Sequence, residues 1–289
     1  MRLKKSLVIS AIVTASILSL GACASGNTPA GEPSVAETPE FEAGTTMAKL
    51  HDAGAMTIGT KFDQPLFGLK GPDGNPVGFD VEIGKIIAGA LGIPADKIEW
   101  KETVSANREP FIENGTVDIV VATYTINDKR KEVVSFAGPY YIAGQDILVL
   151  KGNPEGIKGP EDLKDKKVCS VAGSTSETNI AKYGVDLSTT DTYSNCLEPL
   201  RSGKVIAVTT DNVILAGLAA QNEGEFEVLN KPFTEEAYGI GLKKDDTQFR
   251  NFINDVLEKS YTDGTWKKAW EDTAGKVLPT PEPPAVNRY

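Results

Sequence analysis

The 289-residue sequence contains a single histidine and fewer basic than acidic residues. One histidine excludes multi-histidine metal sites, and His51, which precedes the first predicted strand, is a poor candidate for a catalytic triad. With 40 acidic and 30 basic residues the net charge is −10, which disfavours nucleic acid as a partner because phosphate binding needs clustered lysine and arginine. No Gly-x-Ser-x-Gly, P-loop or zinc-ligand spacing occurs either. We therefore expect no enzyme activity, no metal and no cofactor.

The N-terminal apolar run, residues 7–20, has 14 residues, which is short for a membrane span and suitable for an export signal. It follows a basic stretch at 2–5 and ends in Leu20-Gly21-Ala22-Cys23, which resembles the bacterial lipobox. We therefore predict a lipoprotein signal peptide over 1–22 and acylation of Cys23. Ordinary secretion with a chance cysteine is the alternative. Removal of 1–22 takes away three basic residues and no acidic one, so the mature net charge is −13.

Residues 23–46 are rich in Gly, Pro, Ser, Thr, Ala and Glu, which favours a flexible tether over a packed core. The expected location is the outer, extracytoplasmic face of the cell membrane, held by the lipid. In that oxidising compartment Cys169 and Cys196 are an even pair, and a disulfide between them would close a loop of about 28 residues. Two buried free thiols are the alternative.

The remaining sequence alternates strand and helix patterns in two blocks, which indicates two α/β lobes. The first block predicts strands 56–60, 98–102 and 118–122 and helices 80–91 and 106–114. The second predicts strands 167–171, 190–193, 205–209 and 227–229 and helices 176–183, 196–202 and 213–221. Asp80 is the predicted N-cap of its helix, and the continuous apolar run 118–122 is typical of a parallel sheet.

The last elements, strand 239–242 and helices 247–260 and 264–272, form no block of their own and are expected to return to the first lobe. The chain would then cross between the lobes twice, near 143–146 and 234–238, where Gly144 and Gly239 can absorb backbone change. The predicted lobes are 47–143 plus 238–275, and 144–237. Residues 276–289 are a proline-rich tail, either disordered or draped over the protein surface.

Several motifs resemble one known family. In the first half they are Gly59-Thr60-Lys61-Phe62-Asp63-Gln64-Pro65, Gly78-Phe79-Asp80-Val81-Glu82-Ile83, Asn107-Arg108 and Asn114-Gly115-Thr116-Val117-Asp118. They continue with Thr123-Tyr124-Thr125-Ile126-Asn127-Asp128-Lys129-Arg130, Phe136-Ala137-Gly138-Pro139-Tyr140-Tyr141, Ala172-Gly173-Ser174-Thr175-Ser176, Val208-Thr209-Thr210-Asp211 and Tyr238-Gly239-Ile240-Gly241-Leu242. Over about residues 56–270 the sequence resembles the extracellular amino-acid-binding proteins of ABC importers, solute-binding protein family 3.

Within that family the sequence is most similar to the glutamate-binding lipoproteins of actinobacteria, which have cysteines placed as Cys169 and Cys196. The resemblance implies an α/β fold of the type II periplasmic-binding-protein kind. Its two α/β lobes are joined by two hinge strands and close on the ligand by a hinge motion. It also implies a monomer that works with a transmembrane permease and an ATPase subunit.

A free amino acid is a zwitterion, so a buried site needs a cation for the α-carboxylate and an anion for the ammonium group. Arg130 follows a polar segment after a buried strand, and its planar guanidinium suits a carboxylate. Asp211 ends an apolar strand in the second lobe and is the expected ammonium partner. The resemblance places both on the family's zwitterion-binding positions; solvated surface charges are the alternative.

Hydroxyl and backbone groups on both lobes are expected to complete the zwitterion site. The resemblance gives Thr123 and Thr125 this role on the segment that leads to Arg130. Ser174 and Thr175 precede a predicted helix, where free N–H groups favour a carboxylate. Simple N-capping is the alternative for these two residues.

Lys61 and Arg108 lie where acidic-amino-acid receptors of this family place cations near the second carboxylate of the ligand. They favour L-glutamate or L-aspartate over a basic ligand, whereas glutamine would leave a cation poorly compensated. The alternatives are a surface lysine for Lys61, and an ion pair of Arg108 with Glu109 or Glu113. Tyr193 is expected to contact the ligand side chain, although plain packing is equally compatible with its position.

Two aromatic residues are candidates for covering the aliphatic part of the ligand, Phe62 and Phe67, the latter also a candidate core residue. The predicted function is therefore an importer receptor for glutamate or aspartate. A receptor for glutamine or another polar amino acid, a sensory domain, and a dehydratase-like or lytic enzyme that shares the fold are the alternatives. Glu82 and Glu236 are candidate acids for such an enzyme by charge type only.

Overall fold

The structure is a computed structural model and describes residues 34–36 and 39–289. The predicted signal peptide, Cys23 and most of the predicted tether lie outside the described residues. Within the described ranges, no helix combines the length and the apolar character needed to cross a membrane.

Thirteen strands and nine α-helices alternate along the described chain. The strands are β1 Met56–Thr60, β2 Asp63–Gln64, β3 Gly68–Lys70, β4 Pro76–Val77, β5 Ile98–Glu102, β6 Ile119–Thr125, β7 Val134–Ala143, β8 Gln145–Leu150, β9 Lys167–Val171, β10 Asp186–Thr190, β11 Ala207–Asp211, β12 Phe226–Val228 and β13 Glu236–Lys243. The helices are α1 Thr46–Ala53, α2 Phe79–Ala90, α3 Arg108–Glu113, α4 Asp128–Lys131, α5 Thr175–Ala181, α6 Leu197–Arg201, α7 Asn212–Gln221, α8 Thr247–Asp263 and α9 Thr265–Asp272.

Two five-stranded sheets form the centres of two lobes. The first sheet has the order β5-β1-β6-β13-β7, and β13 runs antiparallel to both of its neighbours. The second sheet has the order β10-β9-β11-β8-β12, in which β8 is antiparallel to β11 and β12. A small antiparallel sheet, β2-β3-β4, belongs to the first lobe, where it contacts α2.

The chain passes from the first lobe to the second between β7 and β8, and returns between β12 and β13. Because β13 lies inside the first sheet, the last strand and the helices that follow it belong to the first lobe, as the sequence predicted. The α/β fold with two lobes and two connections is confirmed.

The core of the first lobe is a cluster of aromatic side chains between α2, β7 and α9. The ring of Trp270 stacks on Tyr141 at 4.8 Å and lies edge-on to Phe79 at 5.1 Å between centroids. Phe67 is fully buried in the same cluster and contacts Trp270 edge-on at 6.3 Å. Each such pair contributes about 0.5–1.5 kcal/mol beyond its buried area, so the segment after β2 rests on a rigid base. Phe67 is therefore a core residue and not a cover for the ligand.

Two predicted local features are wrong. Asp80 is not the N-cap of α2: Gly78 occupies that position, and Asp80 is fully buried inside the first turn. Its carboxylate is used for long-range hydrogen bonds, which a local capping pattern does not reveal. The predicted strand 190–193 is also displaced, because β10 spans Asp186–Thr190 and is a largely exposed edge strand without apolar alternation.

The proline-rich tail is draped over the first lobe. The backbone N–H of Asn287 donates to the carbonyl of Gly138 at 2.8 Å, and the hydroxyl of Tyr289 accepts from the backbone N–H of Phe136 at 2.9 Å. The Tyr289 ring lies 4.1 Å from the guanidinium of Arg250. These contacts brace β7, the strand that leads into the second lobe.

Residues near the end of the predicted tether also pack on the first lobe. Phe41, a large apolar residue within that segment, contacts Phe252 and His51 edge-on at 5.5 Å and 5.7 Å. His51 lies on α1, and its Nδ1 is 2.8 Å from the carbonyl oxygen of Leu91. This histidine is therefore part of the packing and is remote from the strand ends described below.

Candidate functional site

Polar residues from both lobes meet at the ends of β6 and β11 and at the beginnings of α3 and α5. They line a narrow cavity of about 10 Å³ between the lobes, about the space that one water molecule needs. Its lining consists of Ser105, Arg108, Thr123, Thr125, Ser174, Thr175, Ser176, Tyr193, Thr210, Asp211 and Ile214. Two of the predicted ligand-binding residues do not line this cavity. Lys61 lies behind Ser105, and Arg130 lines an outer cleft that adjoins the cavity.

The chemistry of the cavity lining limits what it can bind. Its lining is dominated by hydroxyl groups with one cation, Arg108, and one carboxylate, Asp211. Such a lining suits a small, strongly polar ligand that carries charges of both signs.

Asp211 is the last residue of β11 and immediately precedes α7. Its side chain is buried, Oδ2 accepts a hydrogen bond from the hydroxyl of Tyr238 at 2.6 Å, and Oδ1 has no hydrogen-bond partner among the described residues. Burial and the nearby charge of Glu236 raise the pKa of Asp211 to about 7. A buried carboxylate oxygen without a donor is costly, and a ligand ammonium group would supply that donor.

Arg130 lies in α4 at the contact between the lobes. Its Nη1 donates to the carbonyl of Thr125 at 2.7 Å, and its Nη2 donates to the carbonyl of Gly173 in the second lobe at 3.2 Å. Its Nε forms an ion pair with Glu109 Oε1 at 3.1 Å. Burial and the positive charge of Arg108 lower the pKa of Arg130 to about 10, so the guanidinium is charged at neutral pH.

Arg108, the first residue of α3, lies against the ring of Tyr124, with 4.3 Å between guanidinium carbon and ring centroid. The guanidinium of Arg130 lies 5.0 Å from the same ring. Arg108 donates from Nε to the carbonyl of Ser105 at 3.2 Å and from Nη1 to the carbonyl of Ala122 at 3.2 Å. The alternative pairing of Arg108 with Glu109 or Glu113 is therefore not observed, since Glu109 pairs with Arg130.

Lys61 is a buried residue and not a surface lysine. Its Nζ donates to the hydroxyl of Ser105 at 2.9 Å, and Ser105 in turn lines the cavity. Burial and the positive charge of Arg108 lower the pKa of Lys61 to about 7, although the carboxylate of Asp63 acts in the opposite direction. Lys61 therefore reaches the cavity through one intervening hydroxyl group.

Asp80 holds the turn that carries Thr123. Its Oδ2 accepts the backbone N–H of Thr123 at 2.8 Å, and its Oδ1 accepts the hydroxyl of Tyr140 at 2.6 Å. Thr123 has a φ of 44°, which is unusual for a β-branched residue. This conformation costs about 1–3 kcal/mol, which the surrounding interactions must offset. Burial raises the pKa of Asp80 to about 7 in spite of these two hydrogen bonds.

The predicted hydroxyl groups lie on both sides of the cavity. The Oγ1 atoms of Thr125 and Thr175 are 3.5 Å apart across the cleft. Ser174 also caps α5, because its Oγ accepts the backbone N–H of Glu177 at 2.9 Å. The capping alternative for Ser174 is thus observed together with its place in the cavity lining.

Tyr193 is buried and lines the cavity, but it begins a 3₁₀ turn, Tyr193–Cys196, and does not end a strand. The turn is attached to β9 by the disulfide between Cys169 and Cys196, whose Cα atoms are 5.7 Å apart. The predicted pairing of these two cysteines is confirmed.

Four lining residues were not predicted: Ser105, Ser176, Thr210 and Ile214. Ser176 and Thr210 adjoin predicted site residues and lie in the same motifs, so the motifs themselves could have indicated them. Ser105 lies three residues before Arg108 and outside the Asn107-Arg108 motif. Ile214 gives no such signal, because an isoleucine in an apolar helix is indistinguishable from a core residue.

The remaining candidates lie outside the cavity. Glu82 forms an ion pair with Lys85 at 2.9 Å, and Phe62 lies 5.5 Å from Lys70 Nζ. Glu236 is buried, accepts hydrogen bonds from Asn179 and Thr234, and lines an outer cleft next to the cavity. Across the residues that the structure describes, no group of three or more His, Cys, Asp or Glu side chains could hold a metal ion.

Comparison with known proteins gives consistent results. Residues 56–273 match the bacterial extracellular solute-binding proteins, family 3. The glutamate-binding protein GluB of Corynebacterium efficiens is 42% identical over 249 residues, which cover 82% of this chain and 84% of GluB. The ABC transporter glutamine-binding protein GlnH of Bacillus subtilis is 36% identical over 273 residues, which cover 93% of this chain and 97% of GlnH.

Among solved structures, an ancestral arginine-binding protein bound to glutamine matches with a TM-score of 0.71 and 38% identity. The match covers 76% of this chain and 97% of the ancestral protein. Sequence and fold therefore agree over most of the molecule, and the chain belongs to the bacterial extracellular solute-binding proteins, family 3.

Proposed function

We propose that the protein is the substrate-binding lipoprotein of an amino-acid ABC importer, which captures glutamate or aspartate outside the membrane and delivers it to the permease. The observation that carries this proposal is the pairing of opposite charges around one small cavity. Asp211 offers a carboxylate oxygen that is unpartnered within the described part of the chain. The cations Arg108, Arg130 and Lys61 lie on the facing lobe or at the contact between the lobes.

The zwitterionic part of the ligand is assigned to Arg130, Asp211 and the hydroxyl groups. The ammonium group would donate to the free Oδ1 of Asp211. The α-carboxylate would accept from the guanidinium of Arg130 and from groups at the beginning of α5, where Ser174 and Thr175 lie. Arg130 already donates to two carbonyl groups, so the ligand carboxylate would replace or share those hydrogen bonds.

The side chain of the ligand is assigned to the end of the cavity near Arg108, Ser105 and Lys61. A second carboxylate there would be compensated by two cations. Glutamine would present an amide, and one cation would lose a charge-assisted hydrogen bond. The relatives named for glutamate and for glutamine make these two ligands the decisive comparison.

The location and organisation of the chain are part of the same proposal. The export signal over 1–22, acylation of Cys23 and a monomeric receptor whose lobes divide at 143 and 238 follow from the sequence. Incorporation of radiolabelled palmitate into the full chain, and its loss in Cys23→Ser, would test the anchor.

Titration calorimetry of the chain without residues 1–23, unfolded and refolded to remove bound ligand, tests the function. We expect saturable binding of glutamate or aspartate, weaker binding of glutamine and no binding of arginine. Tighter binding of glutamine would keep the importer function and contradict the assignment of Lys61 and Arg108. If none of the four amino acids bound, the proposed function itself would be contradicted.

A further inference from the structure

Asp63 makes a contact between the two lobes that lies outside the cavity lining. This residue begins β2 in the first lobe and is half-buried. Its Oδ2 accepts the backbone N–H of Tyr193 at 3.0 Å and lies 3.5 Å from the backbone N–H of Ser194. Both amides belong to the 3₁₀ turn Tyr193–Cys196 of the second lobe.

The turn that Asp63 contacts has no cap from its own segment. Thr192 occupies the N-cap position but makes no capping hydrogen bond, and its hydroxyl lies 3.2 Å from that of Ser194 instead. Free N–H groups at the beginning of a helical turn are normally satisfied by a nearby Asp, Asn, Ser or Thr. Here the first lobe supplies the carboxylate that performs this role.

The same turn carries a side chain of the cavity. Tyr193 lines the cavity, and Cys196 attaches the other end of the turn to β9. One end of the turn is thus fixed covalently within the second lobe, and the other end is held by Asp63 only while the lobes are together.

We propose that Asp63 is a positioning residue for ligand binding: by capping the turn of Tyr193 from the opposite lobe, it stabilises the closed arrangement and strengthens the binding of every amino-acid ligand by the same factor. This inference rests on the proposed function as an amino-acid receptor. It concerns a residue that does not line the cavity, and it assigns to that residue an effect on affinity without an effect on selectivity.

A purely electrostatic role of Asp63 is the competing explanation, and it predicts a change of the opposite sign for an acidic ligand. Its carboxylate lies near Lys61 and partly compensates the cations there. Removal of that negative charge alone would strengthen the binding of glutamate and leave glutamine nearly unchanged. Loss of the cap would weaken both ligands equally, so the two effects are distinguishable by the direction of change.

The test compares Asp63→Ala and Asp63→Asn in the complete chain, purified in detergent, by calorimetry and stopped-flow with L-glutamate and L-glutamine. We expect Asp63→Ala to weaken both ligands about tenfold through faster dissociation, and Asp63→Asn to weaken both by less because the amide oxygen can still accept. Asp73→Asn is the matched control: this exposed carboxylate lies between β3 and β4 and bonds to Asn75, so the variant should bind as the wild type does.

Unchanged affinities in Asp63→Ala, or a gain for glutamate alone, would overturn the proposal. Hydrogen exchange at the amides of Tyr193 and Ser194 gives a readout that does not need a known ligand. We expect slower exchange in the wild type than in Asp63→Ala, and equal exchange would also overturn the proposal. If the wild type bound neither amino acid while the difference in exchange persisted, the proposed ligand would be wrong. The capping of the Tyr193 turn by Asp63 would still be supported.

Discussion

The two lobes contribute to the cavity in different ways. On the first-lobe side, the cations Lys61, Arg108 and Arg130 are buried and already donate to carbonyl or hydroxyl oxygens of the protein. On the second-lobe side, Asp211 keeps a carboxylate oxygen that has no partner among the residues that the structure describes. The first lobe therefore holds its charges in place by internal hydrogen bonds, whereas the second lobe has an interaction that only a ligand would complete.

This difference suggests a division of labour. A side chain whose hydrogen bonds are made within the protein is preorganised and loses little entropy when the ligand arrives. An unpartnered buried carboxylate destabilises the protein alone and is relieved by a cation. Removal of Arg130, which is paired with Glu109, should therefore damage both folding and binding, whereas removal of the second-lobe charge should damage binding alone.

The largest effect is expected for Arg130→Ala. The substitution removes the proposed α-carboxylate partner and leaves Glu109 without its ion pair and the carbonyl of Gly173 without a donor from the first lobe. Breaking such buried charge contacts costs about 3–5 kcal/mol, so calorimetry should show a loss of at least about 100-fold for every amino acid. Arg130→Lys, which keeps the charge but not the two-pronged geometry, should recover part of the affinity. Retained binding in Arg130→Ala would show that Arg130 does not contribute to ligand binding.

The next effect, for Asp211→Asn, separates the two lobes most clearly. The amide oxygen of the variant can still accept the hydrogen bond from the Tyr238 hydroxyl, but the negative charge is lost. Binding of all amino acids should therefore weaken by about 10- to 100-fold. Because burial raises the pKa of Asp211, its ionised form destabilises the folded protein at neutral pH. Thermal unfolding without ligand should consequently occur at the same or a higher temperature than in the wild type. A lower unfolding temperature for Asp211→Asn than for the wild type would contradict the claim that the second-lobe charge serves binding alone.

A smaller and more selective effect is expected for Lys61→Met. The variant keeps the length of the side chain and removes the charge behind Ser105. Glutamate affinity should fall about tenfold while glutamine affinity changes little, because only glutamate carries a second carboxylate. Lys70→Met, which neutralises an exposed lysine in the small sheet, is the control. Equal losses for both ligands would show that Lys61 supports the site and does not select the ligand.

The smallest effect is expected from pH, over about one unit on either side of neutrality. The pKa of Asp211 is raised to about 7, so acidification protonates this carboxylate and weakens the binding of the ammonium group of any ligand. The pKa of Lys61 is lowered to about 7, so alkalinisation neutralises this amine and weakens glutamate alone. Calorimetry from about pH 5.5 to about pH 8.5, a range that brackets both pKa values, should give a maximum for glutamate and a rise to a plateau for glutamine. Identical profiles would contradict the assignment of Lys61.

The sequence predicts those parts of the fold that depend on local pattern. The strands β1 and β5 were predicted with their observed limits, since larger apolar residues alternate with polar or small residues in both. The cap assigned to Asp80 failed because its true partners, Thr123 and Tyr140, lie far away in the sequence. The edge strand β10 was displaced because an exposed strand has no apolar alternation to mark its limits.

The candidate site follows the same rule. Asp211 was predicted because a polar residue that ends an apolar strand is visible in the sequence, whereas Thr123 and Thr125 were predicted from the family resemblance. That Lys61 reaches the cavity through Ser105, and that Asp63 caps a turn 130 residues away, depends on how the lobes meet. No local pattern contains that information.

The aromatic cluster of the first lobe also decides which optical assay can follow the protein. All three tryptophans, Trp100, Trp266 and Trp270, lie on elements of the first lobe, and the latter two are buried in its core. Intrinsic tryptophan emission therefore reports on a region that changes little when the second lobe moves. An unchanged emission spectrum on addition of an amino acid would not indicate failure to bind, and a fluorescent label on the second lobe would be the more sensitive probe.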